Sequence, residues 1–557
     1  MSESTVLFNL STVFGTVAET VPDTEALTWR EHRYTYAELN RRVDGFANYL
    51  VGAGIGCHTE RYGLANHESG QDHVGLYLRN GNEYLEAMVG AYRSRSAPFN
   101  VSYRYVEDEL IYLLNDADAR ALVYHAEFAP RVARIVDRIP NLTVLIQVSD
   151  ESDNDLLPGA VDYASVVATP PATTMPTPVG DDLYLLYTGG TTGMPKGVLW
   201  RQHDIFLAAM GGRPFGAGRS FASYDELADH VRVAAGNMSV LMIPPLMHGS
   251  AQWTAFNVFT MGGRIVIPDN VHQLQAADVL ALTSREKVVA ISLVGDAIAR
   301  PLVDELESGN YDLSALGAIT NGGAAMSPTV RTRLRKALPN IAVLDAVGSS
   351  ESGLQLNAVA AGDLADPVST FTPQPDTAVL APDRESVLPT GAGEGWLARR
   401  NLVPLGYLGD AEKTANTFPT IDGVRWSIPG DRAVSLSDGR IELLGRDSVT
   451  INSGGEKIFV EEVERALATH PSVYDVVVVG RPSERWGSEV VAVVALGSGH
   501  VVTDEDLTAT CRAQIAGYKV PKAFIRTPAI VRSPAGKADY RWAADLAARG
   551  HSATAGE

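Results

Sequence analysis

Residues 187–197 read YTGGTTGMPKG and directly follow DLYLLY, an apolar run that predicts a buried strand. Glycine lets backbone N–H groups approach a phosphate chain closely, and threonine hydroxyls and a lysine ammonium are further donors. No Gly-Lys followed by Ser or Thr closes the stretch, so it differs from a Walker A loop. It predicts a phosphate-binding loop after a strand, built from Thr188, Gly189, Gly190, Thr191, Thr192 and Lys196.

On both sides of this loop, strand-like and helix-like patterns alternate. A capping box at Thr35 and Glu38 predicts one helix, and a second is predicted from about Val106. This alternation predicts an α/β fold whose large N-terminal domain consists of layered, mostly parallel sheets with helices. Short apolar runs predict its buried strands at residues 74–78, 184–187, 240–243, 265–267, 291–294 and 341–344.

The pattern changes after about residue 445. A helix at 460–468, strands at 476–479 and 490–496, and a capped helix from Thr503 indicate a smaller α+β unit, with Cys511 on a buried helix face. The polar stretch GRDSVTINSGGEK between the two regions has the composition of a hinge. We therefore predict an N-terminal domain of residues 1–446 and a mobile C-terminal domain of residues 447–557, ending in a disordered tail from Gly550.

Composition excludes several classes of protein. The 557 residues include 46 Lys and Arg against 66 Asp and Glu, a formal net charge of −20. That balance argues against a nucleic-acid partner, which needs a basic surface. Two cysteines cannot form a disulfide framework, and no apolar run approaches the roughly 20 residues that a membrane-spanning helix needs. The N-terminus lacks the basic start of a signal peptide, so we expect a cytoplasmic protein.

Further motifs follow the loop in a fixed order. They are NGGAAM at 321–326, DAVGSSE at 345–351, PGD at 429–431, GR at 445–446 and SPAGKADYR at 533–541. Together with the loop, they resemble the motifs of the adenylate-forming superfamily, which includes acyl-CoA synthetases, aryl-CoA ligases, luciferases and peptide-synthetase adenylation domains. The resemblance spans nearly the whole chain. It implies that the protein uses ATP, Mg²⁺ and coenzyme A, with a small-molecule carboxylic acid as the substrate.

The resemblance also implies roles for individual residues. Lys537 and Thr188 are expected to act in catalysis, Glu351 to ligate Mg²⁺ and Asp431 to hold the ribose. The segment PPLMHG at 244–249 would place His248 beside the acyl channel. Residues 453–455 would face the pantetheine tunnel after the small domain swings about the hinge. The remaining nucleotide- and CoA-contacting residues implied are Gly322, Gly323, Ala324, Asp345, Val347, Gly348, Ser349, Ser350, Arg446, Ser453, Gly454 and Gly455.

The chemistry of acid activation supports these roles independently. A carboxylate is a poor acyl donor, and converting it to a mixed anhydride with AMP solves this problem. The attack brings two anions together, so the site must supply positive charge where negative charge builds up. Lys537, Lys196 and a magnesium ion at Glu351 meet this need. The carboxylate of Asp431 is a bidentate acceptor that suits two adjacent ribose hydroxyls.

Three features depart from the family pattern. Val347 stands where many members have an aromatic residue against the adenine, and Ser448 where the hinge residue is commonly Asp or Lys. Residues 57–73 form a longer stretch than usual, with histidines at positions 58, 67 and 73. Metal binding there is an alternative, but the spacing matches no known site and a solvated insertion is the favoured interpretation.

The resemblance is greatest to actinobacterial fatty-acyl and steroid-side-chain CoA ligases, which implies a bulky apolar acid. Trp253, Val294, Gly295 and Asp296 are expected to line its pocket. Several alternatives stay open: an aryl-acid ligase, an enzyme that loads a carrier protein, a nitrite-activating diazotase, and a catalytically inactive binding protein. The sequence does not distinguish a monomer from a homodimer.

Overall fold

The structure is a computed structural model that describes residues 6–188, 194–214, 218–360, 369–453, 456–483, 485–533 and 536–552. In chain order, the α-helices α1 to α16 are Leu10–Thr20, Tyr36–Gly52, Asn82–Arg93, Glu107–Asp116, Ala129–Ile135, Tyr163–Val167, Gln202–Ala209, Tyr224–Ala234, Gly249–Phe259, Ala276–Arg285, Gly295–Ser308, Pro328–Ala337, Ala411–Thr417, Val460–Ala468, Asp504–Arg512 and Tyr540–Ser552.

The strands β1 to β28 are, in the same order, Glu25–Trp29, His32–Thr35, His73–Tyr77, Ala97–Asn100, Ala119–His125, Val144–Val148, Ala160–Asp162, Leu183–Thr188, Lys196–Arg201, Ser239–Met242, Arg264–Ile267, Ala290–Leu293, Ala318–Gly322, Ala342–Ser349, Gly353–Ala360, Thr370–Pro373, Thr377–Leu380, Gly393–Arg400, Gly406–Tyr407, Thr420–Ile421, Val424–Ser427, Asp431–Ser435, Ile441–Arg446, Ile451–Ser453, Glu456–Ile458, Val473–Ser483, Gly487–Leu496 and Ala523–Arg526.

The first sheet is parallel throughout, with the strand order β4-β3-β5-β6-β7. Strand β3 is buried along its whole length, because helices cover both faces of the sheet. Helix α2 is capped by Thr35, whose side chain and that of Glu38 form the predicted capping box. Helix α2 packs against α3 on one face, and the apolar side of α4 covers the other.

The second and largest sheet changes character along its width. Strands β1, β11, β10, β12, β13 and β14 pair in parallel, which confirms the predicted parallel layer. From β14 onward the pairing through β15, β16, β23, β22 and β18 is antiparallel, which the sequence analysis did not foresee. The three-residue turn between β14 and β15 explains the switch, because parallel strands need a much longer crossover.

Strands β8 and β9 form a smaller antiparallel sheet with β19. Because β8 ends at Thr188 and β9 begins at Lys196, this hairpin presents the ends of the glycine-rich stretch at one edge. Asn100, at the end of β4, fixes that edge: its side chain exchanges two hydrogen bonds with the backbone of Tyr187 and donates a third to the carbonyl of Met247.

The C-terminal unit has its own core around strands β26, β27 and β28. Helix α14 has the predicted bounds, and Cys511 is fully buried on α15 beside Leu507, as expected. The tail prediction was partly wrong, because α16 continues through Ser552. Among the described residues, no helix is long and apolar enough to cross a membrane.

Candidate active site

The C-terminal loop that carries Lys537 closes over a cleft in the large domain. A Cβ atom added to Gly536 would lie 3.2 Å from Val294 and 3.4 Å from Ala324, so the loop backbone touches the ends of β12 and β13. The ammonium group of Lys537 is near enough to Glu351, Asp431 and Arg446 for the charges of these residues to act on its pKa. Four residues from distant parts of the sequence, none closer than 15 positions to the next, thus converge on one site.

Asp431 and Arg446 are cross-strand neighbours on β22 and β23. The Nε atom of Arg446 lies 3.4 Å from Oδ1 of Asp431. Burial raises the pKa of the Asp431 carboxyl and the charge of Glu351 adds to this, while Arg446 and Lys537 oppose it. The pair forms a carboxylate and a guanidinium at the cleft wall, where one can accept from a ligand and the other can balance its charge.

Glu351 lies in the turn between β14 and β15. Its Oε1 atom accepts a hydrogen bond of 2.9 Å from the hydroxyl of Tyr407, and its backbone carbonyl accepts one of 2.5 Å from the hydroxyl of Ser427. Burial raises the pKa of Tyr407 and the adjacent carboxylate raises it further, so this phenol stays a hydrogen-bond donor. Glu351 is therefore presented as a fixed carboxylate, the kind of ligand that Mg²⁺ prefers.

Lys537 is an exposed residue, although its ammonium group is near enough to Glu351, Asp431 and Arg446 for their charges to act on its pKa. Burial lowers the pKa of Lys537 and the nearby Arg446 lowers it further, while Glu351 and Asp431 act in the opposite direction. Two cations thus share a site with two carboxylates, so the four side chains carry no net charge, and a magnesium ion held by Glu351 would add the positive charge that an anionic ligand needs.

His248 immediately precedes helix α9, and its ring nitrogen Nε2 is buried without a hydrogen-bond partner among the described residues. Burial lowers the pKa of His248 to about 4, with smaller contributions from Lys537 and Arg104. The imidazole is therefore neutral near pH 7. An unpartnered buried nitrogen close to Lys537 is a position that a ligand atom can satisfy.

The segment implied for adenine is shaped by Asn321. Its amide donates 2.8 Å to Oδ1 of Asp345 and 3.2 Å to the carbonyl of Ala324, and its carbonyl oxygen accepts from the backbone N–H of Gly295 at 2.7 Å. The other Asp345 oxygen pairs with Arg331 at 2.6 Å. Asp345 thus has protein partners on both oxygens and supports the segment of Gly322, Gly323 and Ala324.

Two residues expected near the acyl pocket, Asp296 and Trp253, form polar contacts with other residues of the protein. Asp296 accepts from the backbone N–H of Ser327 at 2.7 Å and pairs with Arg300 at 2.6 Å. The indole of Trp253 donates 3.2 Å to the hydroxyl of Tyr184. The carboxylate of Asp296 supports the start of α11, and Trp253 retains an apolar face on α9.

The remaining sequence-derived residues occupy the edges of the cleft. Lys196 Nζ lies 3.6 Å from Oδ2 of Asp410, and Val347 is half-buried on β14. Gly348 leaves no room for a side chain, since a Cβ there would lie 2.2 Å from the carbonyl of Gly353. Ser453 ends β24. Thr188 ends β8, Ser349 ends β14, and Ser350 begins the turn that contains Glu351. Gly189, Gly190, Thr191, Thr192, Gly454 and Gly455 lie outside the described residues.

The three histidines of residues 57–73 do not converge. His58 Nε2 lies 2.6 Å from Asp72, whereas His73 is buried and bonds the carbonyl of Ala117 and, at 2.8 Å, the hydroxyl of Ser69. Within the described ranges, no group of three or more His, Cys, Asp or Glu side chains is arranged to hold a metal ion.

Two family models match most of the chain, including the segments that carry Glu351 and Lys537. The model of the AMP-binding enzyme matches residues 14–408, and that of the AMP-binding enzyme C-terminal domain matches residues 462–537. The chain belongs to the AMP-binding enzyme family. The large parallel-sheet domain and the smaller C-terminal domain are therefore the two parts of an AMP-binding enzyme.

Individual relatives agree with this membership. The chain is 55% identical to the medium-chain acyl-CoA ligase Mig of Mycobacterium avium, over 99% of this chain and 100% of the relative. It is 39% identical to a 3-oxocholest-4-en-26-oate–CoA ligase of Rhodococcus rhodochrous, over 96% and 95%. The fold matches the crystal structure of the anthranilate CoA ligase AuaEII in complex with anthranoyl-AMP, with a TM-score of 0.81 at 20% identity and 99% coverage of both chains.

Proposed function

We propose that this AMP-binding enzyme is an AMP-forming acyl-CoA synthetase. It activates a medium- or long-chain fatty acid, or a steroid side-chain acid, with ATP and transfers the acyl group to coenzyme A. The convergence of Lys537 with Glu351, Asp431 and Arg446 carries the proposal, because it joins a mobile cation to a metal-binding carboxylate and a sugar-binding carboxylate. The 55% identity to a medium-chain acyl-CoA ligase supports the substrate class.

Binding of the nucleotide follows from the cleft wall. Asp431 accepts hydrogen bonds from the two ribose hydroxyls, and Arg446 opposes the rise that burial causes in the pKa of that carboxyl. The backbone of residues 322–324 lines the adenine, and Val347 packs against it from β14. Glu351 holds Mg²⁺, which neutralises phosphate charge when bound. A single carboxylate would suit Mg²⁺, because proteins commonly bind this ion through one or two carboxylates together with the phosphates of the substrate.

The first half-reaction joins the acid to the α-phosphorus. A carboxylate oxygen attacks phosphorus, the bond to the bridging oxygen breaks, and pyrophosphate leaves. Lys537 lies where the carboxylate and the α-phosphate meet, and it stabilises the negative charge that grows there. Lys196 and Thr188 act on the phosphates from the ends of β8 and β9. Neutral His248 donates its unpartnered N–H to the acid's carboxylate and orients it.

The second half-reaction needs a different face of the small domain. We place the domain boundary after Arg446, where β23 ends and a short turn at Asp447–Val449 begins. Rotation about this turn withdraws Lys537 and presents the segment of Ser453, Gly454 and Gly455 to the pantetheine arm. The thiolate then attacks the acyl carbon, and AMP leaves as the thioester forms.

A pyrophosphate-release assay over a panel of acids, with and without CoA, tests the proposal. The panel holds fatty acids of several lengths, a steroid C26 acid, a cinnamate, and nitrite with an arylamine. CoA-dependent turnover on the aliphatic or steroid acids is expected, with the thioester identified by mass spectrometry. Turnover that is indifferent to CoA would indicate another acceptor, such as a carrier protein or an amine, and would overturn the thiol-ligase assignment.

A further inference from the structure

The turn that carries Glu351 is held through its backbone carbonyls. The indole N–H of Trp200 donates 2.8 Å to the carbonyl of Ser350, and the hydroxyl of Ser427 donates 2.5 Å to the carbonyl of Glu351 itself. Trp200 lies on β9 and Ser427 on β21, so two separate strands fix successive peptide groups. Both side chains are fully buried.

Arg399 also donates hydrogen bonds to backbone carbonyls, on the C-terminal side of Glu351. Its Nη1 atom donates 3.0 Å to the carbonyl of Ser352 and 2.6 Å to that of Leu354. The same atom lies 3.5 Å from the carbonyl of Ala208, at the C-terminal end of α7. That helix follows β9, so Arg399 ties the turn to the strand that begins with Lys196.

The burial of Arg399 is unusual for a cation. The residue is 1% exposed, and among the described residues no carboxylate lies within ion-pair distance and its Nε atom has no partner. Burying a charge without a counter-ion is unfavourable, and hydrogen bonds to carbonyl oxygens offset this only in part. An apolar side chain would fill this space at lower cost but would leave the carbonyls of Ser352 and Leu354 unpaired.

We propose that Arg399, together with Trp200, is a positioning residue that sets the Glu351 carboxylate for the magnesium–nucleotide complex. The inference rests on the proposed function, because it assumes that Glu351 ligates the ion. The mechanism is indirect: the side chains hold the peptide groups on both sides of Glu351, and the tyrosine hydroxyl of Tyr407 holds its carboxylate. Groups that orient a metal ligand affect metal affinity or activity by about 10- to 100-fold.

The experiment compares the wild-type enzyme with Arg399→Met, Arg399→Lys and Trp200→Phe. Calorimetric titration of ATP at stepped Mg²⁺ concentrations gives the Mg²⁺ dependence of binding without any acid. We expect Arg399→Met to raise the Mg²⁺ concentration needed for half-maximal binding about tenfold. Arg399→Lys should recover part of the loss, and Trp200→Phe, which removes one N–H and keeps an aromatic side chain in the core, should have a smaller effect.

Arg400→Met is the matched control. Arg400 is the next residue on β18, but its side chain points to the other face, where it lies over the ring of Trp426 and is about half exposed. We expect no change in its Mg²⁺ dependence. The KM for the acid should also be unchanged in the Arg399 variants, whereas general unfolding would lower the active fraction and leave the Mg²⁺ dependence as it was.

A double substitution decides whether Arg399 acts through Glu351. In a Glu351→Gln background, Arg399→Met should have little further effect on Mg²⁺ dependence, because the group that it positions has already been removed. Independent, multiplicative effects would overturn the inference, as would an Arg399→Lys variant indistinguishable from Arg400→Met. If Arg399→Met does not fold, the lysine and Trp200→Phe variants carry the same test. Wild-type enzyme that binds Mg²⁺ and ATP but activates no acid would refute the proposed function and leave this inference to be judged on the binding data.

Discussion

His73 is buried and His248 is half-buried with a shielded Nε2 atom, and the two differ in how the protein satisfies their ring nitrogens. His73, at the start of β3, uses both ring nitrogens within the protein, on the carbonyl of Ala117 and the hydroxyl of Ser69. His248, before α9, has a buried Nε2 without a partner among the described residues. Burial lowers the pKa of each. The shift in pKa therefore does not separate them, whereas the satisfaction of their nitrogens does.

The same contrast extends to the regions around these residues. On helix α3, which packs beside the parallel five-stranded sheet, the buried carboxylate of Glu86 is engaged by Arg42 and Tyr163. In the cleft, charged groups of both signs face a common space and are only loosely paired, as the 3.4 Å contact of Asp431 with Arg446 shows. A satisfied polar network stabilises a fold, whereas unsatisfied groups that point to one space indicate a ligand.

Lys537→Ala should have the largest effect. Loss of the cation where charge develops is expected to lower the rate of adenylate formation by roughly 10³-fold, measured as pyrophosphate release. Transfer to CoA from supplied acyl-adenylate should persist, because that step uses another face of the small domain. Lys522→Ala, at an exposed position of the same domain, is the control and should behave as wild type. Equal activity of the two variants would contradict the central role of Lys537.

Asp431→Asn should raise the KM for ATP by roughly 30-fold, because charged hydrogen bonds to the ribose hydroxyls become neutral ones. The amide occupies the same volume, so the melting temperature should change little. Asp438→Asn is the control and should leave the KM for ATP unchanged. Asp438 lies in the loop between β22 and β23, where its carboxylate pairs with Arg440 at the surface. A similar KM for both variants would argue against ribose binding by Asp431.

The histidine pair gives a direct test of the comparison. His248→Ala should lower kcat/KM for the acid by roughly tenfold with little change in stability, since no protein hydrogen bond is lost. His73→Ala should do the reverse and lower the free energy of unfolding by about 2 kcal/mol while kcat/KM stays the same. Chemical denaturation and steady-state kinetics on both variants measure the four quantities. If His248→Ala destabilised the fold as much as His73→Ala, the distinction between them would fail.

The pH dependence should show the smallest change. Lys537 acts as a cation, and burial together with Arg446 lowers its pKa below the ordinary value of 10.5. As pH rises, its charge is lost earlier than that of an ordinary lysine, so kcat/KM for ATP should fall on the alkaline side below pH 10.5. In Arg446→Gln the alkaline fall in kcat/KM should move to higher pH, because the positive charge that repels the Lys537 ammonium group has been removed. If kcat/KM fell at the same pH in the wild-type enzyme and in Arg446→Gln, the fall would not be caused by deprotonation of Lys537.

The sequence predicted those parts of the molecule whose signal is local. Strands such as β3 and β12 are continuous apolar runs, and α14 has a strong apolar stripe beside charged residues, so their positions could be read directly. The antiparallel half of the large sheet was missed because several of its strands are only partly buried and some of them pair over short stretches. For example, β15 and β16 pair over just two residues.

Some residues of the candidate site could likewise be identified from the sequence, whereas others could not. Lys537, Glu351 and Asp431 lie in motifs that a resemblance can identify. Arg399 was missed because its partners are backbone groups from other segments, and Asn321 was identified only as the first residue of NGGAAM, without its contacts to Asp345 and Gly295. Trp200 looked like an ordinary core residue. Only the folded chain shows that its N–H meets a carbonyl 150 positions away.

The side chain of Asn100 links the two segments that are proposed to contact ATP and the acid. One amide group fastens the strand that leads into the phosphate loop and, at the same time, the segment that ends at His248. A displacement of either segment is therefore transmitted to the other through a single side chain. ATP and the acid should accordingly bind as a cooperative pair, and thermodynamic reciprocity requires each to raise the affinity for the other by the same factor.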